Sequence, residues 1–220
     1  MNSDKMSRIF IVDDHPLIRR GLRQLLETEI LLEVCGEAEN IADSLAGIKD
    51  CEPDLVIVDI SLPDGSGLDL IKRIHAVKPT LPILVSSMHD ERLLAERALR
   101  AGAMGYVSKH EAPEHLVEAL LRILEGKVYV SKEMTERMLQ QNYARSSDVS
   151  GQSSIETLSN RELEVFEQIG QGFSTVQIAK HLNLSAKTIE THRAHIKEKL
   201  NLTSSIELTR QALQWSTGNI

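Results

Sequence analysis

The chain is 220 residues long, 41 % hydrophobic and 26 % charged, an ordinary composition for a soluble globular protein with room for one or two cores. Its formal net charge of −7 argues against a general coat for nucleic acid, and no stretch approaches the ~20 apolar residues of a membrane span. The two cysteines, Cys35 and Cys51, have no metal-ligand spacing and the first residues carry no apolar signal segment, so a reducing, cytoplasmic setting without membrane association is expected.

The charge is unevenly spread. Residues 155–220 hold seven Lys/Arg and seven Asp/Glu, so the whole acidic excess lies in 1–154, a first sign of two domains. From Arg8 to about Gly126, short apolar runs alternate with amphipathic stretches. Ile9–Val12 reads as a strand, and 15–28 as a helix with Leu17, Ile18, Leu22, Leu25 and Leu26 on a face. Leu31–Val34, with a tail to Ala38, is a second strand, and 40–50 a second helix. Leu55-Val56-Ile57-Val58 is wholly apolar, as in a parallel-sheet strand buried on both faces. It runs into Asp59 and a Pro63-Asp64-Gly65 turn cluster, followed by a helix over 66–77. Pro82–Val85, Ala103–Val107 and helices over 90–101 and 112–125 complete five βα units. Such alternation predicts a doubly wound α/β fold with five parallel strands and helices on both faces.

Residues 131–143 extend the pattern as one more amphipathic helix, with Met134, Met138 and Leu139. The Ser/Gly-rich 144–154 cannot bury a face and reads as a flexible linker. Beyond it the period is purely helical. Ser159–Glu162 and Ser174–Gln177 are capping boxes for two helices, the first stopping at Gly170 and Gly172. Asn183-Leu184 turns the chain, Ser185 caps a helix through Leu200, Asn201 ends it, and Thr203 or Ser204 opens a last helix with Ile206, Leu208, Leu213 and Trp215. The domain boundaries are therefore 7–126, an extension and linker over 127–154, and an all-α domain over 155–217.

Ligand sites of open α/β sheets lie at the carboxyl ends of the strands. With strand order 2-1-3-4-5, Asp13 and Asp14 at the end of the first strand and Asp59 at the end of the third converge, with no basic neighbour in sequence. Their mutual repulsion is relieved by a hard divalent cation, Mg²⁺ being suited to few carboxylates and open water positions. The fourth strand ends in Ser86-Ser87 and the fifth reaches Lys109. Carboxylates, a hydroxyl and an ammonium around a metal are what phosphoryl transfer needs. Taken singly, Asp59 reads as a turn or cap, Asp13 and Ser87 as helix caps and Lys109 as a solvated lysine; all of them falling at one sheet edge favours a site.

Val12-Asp13-Asp14-His15-Pro16, Asp59 to Gly67, Ser87-Met88-His89-Asp90 and Gly105-Tyr106-Val107-Ser108-Lys109, in that order, resemble the receiver domain of two-component response regulators over about 8–125. The resemblance implies a flavodoxin-like receiver with Asp59 as phosphoacceptor, served by a sensor histidine kinase or phosphotransfer protein. It implies Mg²⁺ (or Mn²⁺) held directly by Asp14, through water by Asp13, and by Asp59 and the Ser61 backbone carbonyl. Ser87 would bond one phosphoryl oxygen and Lys109 pair with another, and Tyr106 would be the aromatic that follows phosphorylation. Ser87 stands where Thr is commoner and His110 where Pro or Asp is frequent, departures expected to alter switching or phosphate lifetime. Ser61 and His89 flank the place where water would attack and are candidates for setting that lifetime.

The second and third helices of the tail form a helix-turn-helix, whose second helix enters the major groove. Ile189, Ile196 and Leu200, at spacings of seven and four, form its buried stripe, while Glu190, Thr191, Ala194 and Lys197 share an outward face. From these residues alone, DNA binding and packing on a partner protein are equally open. Leu158 to Val165, Gly170 to Ala179 and Leu184 to Arg193 resemble the LuxR-type DNA-binding domain of NarL/FixJ-class regulators over about 155–217. This implies recognition of double-stranded DNA by 185–200 and homodimer contacts through the last helix. Lys187, Arg193 and Lys197 are then phosphate candidates; Thr191, Ala194 and Glu190 are base-edge candidates, with Thr188 beside them.

The expected function is phosphorylation-dependent DNA binding and transcriptional control by a protein that is not an enzyme. An aspartyl-phosphate phosphatase or transferase would want a second catalytic Asp where Ser61 stands. A signalling module acting only through protein contacts is the better alternative. Ligand-sensing LuxR-type regulators lack the phosphoacceptor half.

Overall fold

The computed structural model describes residues 6–88, 91–145, 154–182 and 184–217. The chain divides into two compact units, Met1–Ser147 and Asp148–Ile220. Most of the expected linker, together with His89 and Asn183, lies outside the described residues.

The first unit runs β1 (Ser7–Val12), α1 (Pro16–Glu27), β2 (Leu32–Ala38), α2 (Ile41–Cys51), β3 (Leu55–Val58), β4 (Ser61–Leu62), β5 (Gly65–Ser66), α3 (Gly67–Val77), β6 (Ile83–Ser87), α4 (Glu91–Ala101), β7 (Gly105–Ser108), α5 (Pro113–Leu124) and α6 (Lys132–Arg145). Five strands make a parallel sheet in the order β2-β1-β3-β6-β7, the expected 2-1-3-4-5 arrangement once the short β4–β5 hairpin is set aside. All four residues of β3 are buried, as a central parallel strand covered on both faces requires. Each such apolar side chain contributes roughly 1.5–3 kcal/mol. One face of the sheet packs Ile9, Ile11, Leu55, Ile57 and Leu84 against Leu26 of α1 and Leu116, Leu120 and Ile123 of α5.

Three local expectations change. Leu17 does not join the buried stripe of α1 but is 83 % exposed, because at about 100° per residue it lies a quarter-turn from Ile18. The Pro63-Asp64-Gly65 turn closes an antiparallel hairpin, β4 on β5, with Ser61 opposite Ser66. The extension after α5 is built into the first unit. Tyr129 bridges to Gly105 at the sheet edge, Ser131 N–H donates to Glu91 Oε1 at 2.8 Å, and Met134 is buried while Leu139 is exposed.

The second unit is helical: a 3₁₀ turn at Ser154–Thr157, then α7 (Asn160–Gly170), α8 (Thr175–His181), α9 (Ala186–Lys199) and α10 (Ser205–Ser216). Both expected capping boxes form, a third closes at Ser204 and Glu207, and the Ser185 hydroxyl accepts from Thr188 N–H. Asn201 ends α9 in the left-handed region, φ 54°, a conformation its short polar side chain tolerates. Ile189, Ile196 and Leu200 are buried as the stripe predicted, and Phe166 meets Trp215 at 5.3 Å between ring centroids. On α10 the buried face is Leu208 and Ala212; Ile206 and Leu213 point to solvent, since residues two and five away from Leu208 fall off its face.

Candidate metal centre and nucleic-acid interface

Parallel pairing carries the acidic residues to one edge. The ladder continues one residue past the strands: Asp13 N–H donates to the Ala38 carbonyl at 3.1 Å, and Asp59 N–H to that of Val12 at 2.8 Å. Asp13 and Asp59 therefore end adjacent strands at matched height, side by side. On the other side of β3, Ser87 closes β6 with no exposed surface, and Lys109 N–H donates to its carbonyl at 2.8 Å.

Lys109 bends into the cluster rather than into solvent. Its Nζ lies 2.6 Å from Asp13 Oδ2 and 2.6 Å from Asp59 Oδ2, with the three side chains 5 %, 2 % and 4 % exposed. Burial alone would lower the ammonium's pKa, but the Asp59 and Asp13 carboxylates outweigh it and raise it above the usual 10.5. Lys109 thus stands at the sheet edge where the strand order predicted an ammonium, 50 residues from Asp59 in sequence, and pairs directly with two of the carboxylates. It neutralises one charge of three, and the cluster keeps its acidity.

Asp13, Asp14, His15 and Asp59 each offer a ligand atom within 4.8 Å of the others. Asp14 Oδ1 is buried and accepts no hydrogen bond, and its ionic neighbour is His15 Nδ1 at 2.5 Å. A buried carboxylate oxygen with no donor is suited to a cation, and a set dominated by carboxylates suits a hard divalent one. Ser61 N–H lies 3.4 Å from Asp59 Oδ1 on the approach to β4, and Tyr106 is buried within β7. His15, within the Val12–Pro16 motif, joins the cluster as well, and its place directly after Asp14 is the signal the sequence offers for it.

Three further residues support the site through contacts that spacing along the chain does not reveal. Arg19 donates to the Asp13 carbonyl at 2.6 Å and reaches Glu37 at 3.3 Å. Asp64, in the turn of the hairpin, accepts from Ile41 N–H at 2.9 Å, tying the loop after Asp59 to the start of α2. Gly67 N–H donates to Ile60 at 2.7 Å, and a Cβ there would stand 2.0 Å from the Asp59 carbonyl oxygen. Only glycine lets α3 begin that close to the strand end that holds Asp59.

In the second unit, α8, its turn and α9 make the helix-turn-helix. Lys187, Glu190, Thr191 and Ala194 are exposed on α9, while Thr188 and Lys197 are half-buried and the Arg193 side chain is only 14 % exposed. Glu190 does not stand free: Thr175 at the start of α8 donates to its Oε1 at 2.7 Å. The bond braces one helix of the motif on the other and occupies an oxygen that base reading would need. On the inner side, Glu162 of α7 accepts from Ser159 N–H at 2.7 Å and pairs with Lys199 Nζ at 2.6 Å. Burial pushes its pKa up, but those bonds hold it below the ordinary carboxylate value. Burial, reinforced by Arg161, holds the neighbouring His192 below its usual value and therefore neutral at pH 7.

Residues 9–121 match the response regulator receiver domain family, and residues 156–212 match the luxR family of bacterial regulatory proteins. The oxygen regulatory protein NreC of Staphylococcus haemolyticus is 34 % identical over 210 residues, 94 % of this chain and 97 % of that protein. Among solved structures, RcsB of Salmonella enterica serovar Typhimurium bound to promoter rprA with the phosphomimetic BeF3− is 30 % identical. It aligns with a TM-score of 0.61, covering 94 % of this chain and 98 % of that one. A structure of two RcsB dimers on two parallel DNAs is 28 % identical and aligns at 0.57, over 98 % and 100 %.

Proposed function

The chain belongs to the response regulators, a receiver domain followed by a LuxR-type DNA-binding domain, and on that premise we propose that Asp59 accepts a phosphoryl group from a histidine kinase and that α9 reads double-stranded DNA as a result. The observation that carries the reading is the Lys109 bridge between Asp13 and Asp59 beside the donor-free oxygen of Asp14. One carboxylate is held at the open end of the sheet with an ammonium, a hydroxyl and two further carboxylates around it.

An Asp59 carboxylate oxygen attacks the phosphorus of the donor phosphohistidine. The phosphorus–nitrogen bond breaks, its electron pair stays on the imidazole, and an aspartyl phosphate forms. Lys109, already bonded to Asp59 Oδ2, pairs with a phosphoryl oxygen, and the Ser87 hydroxyl donates to another. Asp13, Asp14, Asp59 and the Ser61 carbonyl would hold Mg²⁺ (or Mn²⁺), whose charge when bound offsets that of the transferring phosphoryl oxygens. The chain acts on itself and is not an enzyme toward other substrates; self-dephosphorylation is its one turnover.

On α9, Lys187, Thr188, Arg193 and Lys197 are assigned to the DNA backbone, and Thr191 and Ala194 to base edges. Glu190, bonded to Thr175, braces the motif and leaves at most one oxygen for a base. Ile206 and Leu213, seven residues apart and exposed on α10, supply the apolar face for a homodimer on paired half-sites. No helix among the described residues is long and apolar enough to cross a membrane, in keeping with a cytoplasmic regulator.

The test is incubation with a small phosphodonor and Mg²⁺, followed by intact mass and gel shift on promoter fragments. Wild type should gain one phosphoryl mass and bind DNA more tightly, and Asp59→Asn should do neither while remaining folded. Equal phosphoryl uptake by Asp59→Asn would overturn the assignment.

A further inference from the structure

The chain's only two cysteines, 16 residues apart in sequence, are brought together at the sheet edge away from the acidic cluster. Cys35 lies in β2, the edge strand, and Cys51 is the last residue of α2. Between β1 and β2 the register passes from Ile9 opposite Val34 to Phe10 opposite Gly36, so Cys35 is the extra residue of a bulge. A bulge sets two residues of one strand opposite one of its neighbour and re-aims their side chains. Here it serves a contact. Cys51 Sγ donates to the Cys35 carbonyl at 3.2 Å, and a Cβ on Gly36 would stand 2.8 Å from the same sulfur. Both cysteines are free and half-buried, so a small oxidant can reach them.

We propose that Cys35 and Cys51 form a reversible dithiol–disulfide modification site, closed by peroxide and opened by thiols. In the first step the Cys51 sulfur attacks one peroxide oxygen and the oxygen–oxygen bond breaks. Cys51 sulfenic acid forms, and water leaves. The Cys35 sulfur then displaces hydroxide from that sulfenic sulfur, the S–S bond forms, and a second water leaves carrying the remaining thiol proton. Two thiols lose two electrons and two protons, and one peroxide becomes two waters. Burial and the adjoining Cys51 push the Cys35 thiol up to about 11, so it remains protonated at neutral pH, and the bulge holds it beside the Cys51 sulfur for the second step. The reaction is correspondingly slow beside that of a dedicated peroxidase. Once formed, the bond ties the carboxyl end of α2 to β2, while the amino end of the same helix is held by Asp64 from the Asp59 loop.

The experiment treats the full-length protein with hydrogen peroxide, blocks remaining thiols with an alkylating agent and maps non-reduced peptides by mass. The monomer should lose the mass of two hydrogen atoms, join the Cys35 and Cys51 peptides, take up no alkylating agent and recover both thiols with dithiothreitol. Cys51→Ser should give no internal cross-link and retain an alkylatable Cys35. Two alkylatable thiols after peroxide, separate sulfinic or sulfonic acids, or disulfide-linked dimers instead of the internal bond would each overturn the proposal.

Discussion

Replacing Lys109 by Met removes the ammonium while keeping an unbranched apolar stem of similar reach, so the change isolates charge from packing. In wild type that ammonium serves Asp13 and Asp59 equally, at 2.6 Å each, and all three side chains are almost wholly buried. Each charge-assisted bond contributes about 1.5–3 kcal/mol, and stripping one partner from a buried ionic cluster costs about 3–5 kcal/mol. The expected loss is therefore about 3–5 kcal/mol from the first unit. At about 3–5 °C per kcal/mol for a domain of this size, its melting transition should fall by more than about 10 °C. Calorimetry of the full chain separates the transitions, and fluorescence of Trp215, the single tryptophan, marks the second unit and should not move. The pH dependence has a definite sign. The Lys109 pKa is raised in the fold, so its contribution is complete below the ordinary 10.5 and is lost as pH rises through the higher folded value. Wild type and Lys109→Met should differ by a constant amount from neutrality to about pH 10 and converge above it. A loss under about 1 kcal/mol at neutral pH, or a gap unaffected by strong alkali, would refute the reasoning.

Gly67→Ala forces a Cβ to within 2.0 Å of the Asp59 carbonyl oxygen, where the obstacle is backbone; it should cost about 3 kcal/mol or more in urea unfolding and impair phosphoryl uptake with Asp59 itself intact. Glu162→Gln keeps the capping box but loses the charge that pairs with Lys199, which is partly exposed, so about 1 kcal/mol is expected. Because the Glu162 pKa is depressed, that difference should be present above about pH 4.5 and vanish as pH falls through the folded value, read by Trp215 fluorescence. Lys187→Ala should weaken DNA binding about equally on all sequences and lower the salt slope by about one, measured by anisotropy titrations at several salt concentrations.

What was legible in the sequence was local. The switch from period 2 to period 3.6, repeated five times, marks βα units because each strand and helix must bury its own face. Ser159, Ser174 and Ser185 mark helix starts because a cap acts within one turn. Asp13, Asp14 and Asp59 could be placed at one edge because parallel strands all end on the same side. Leu17 and Leu139 share an apolar face with buried residues in the sequence pattern yet are exposed, because an apolar residue near a stripe is not on it, and only the neighbouring elements decide which angle is covered.

The tertiary structure alone decided how charges and thiols meet across long separations. Lys109 is 50 residues from Asp59, yet it bridges two carboxylates because β7 delivers it to the strand ends. Asp64 caps a helix 23 residues earlier in the chain, and a bulge at Cys35 brings its thiol to Cys51. Such partners depend on strand order, register and the shapes of turns, which leave no periodic trace along the chain. The sequence by itself determined the two domains and the acidic residue types at the sheet edge. The fold decided that Lys109 pairs with Asp13 and Asp59 together, because an ion pair is set by distance in space and not along the chain.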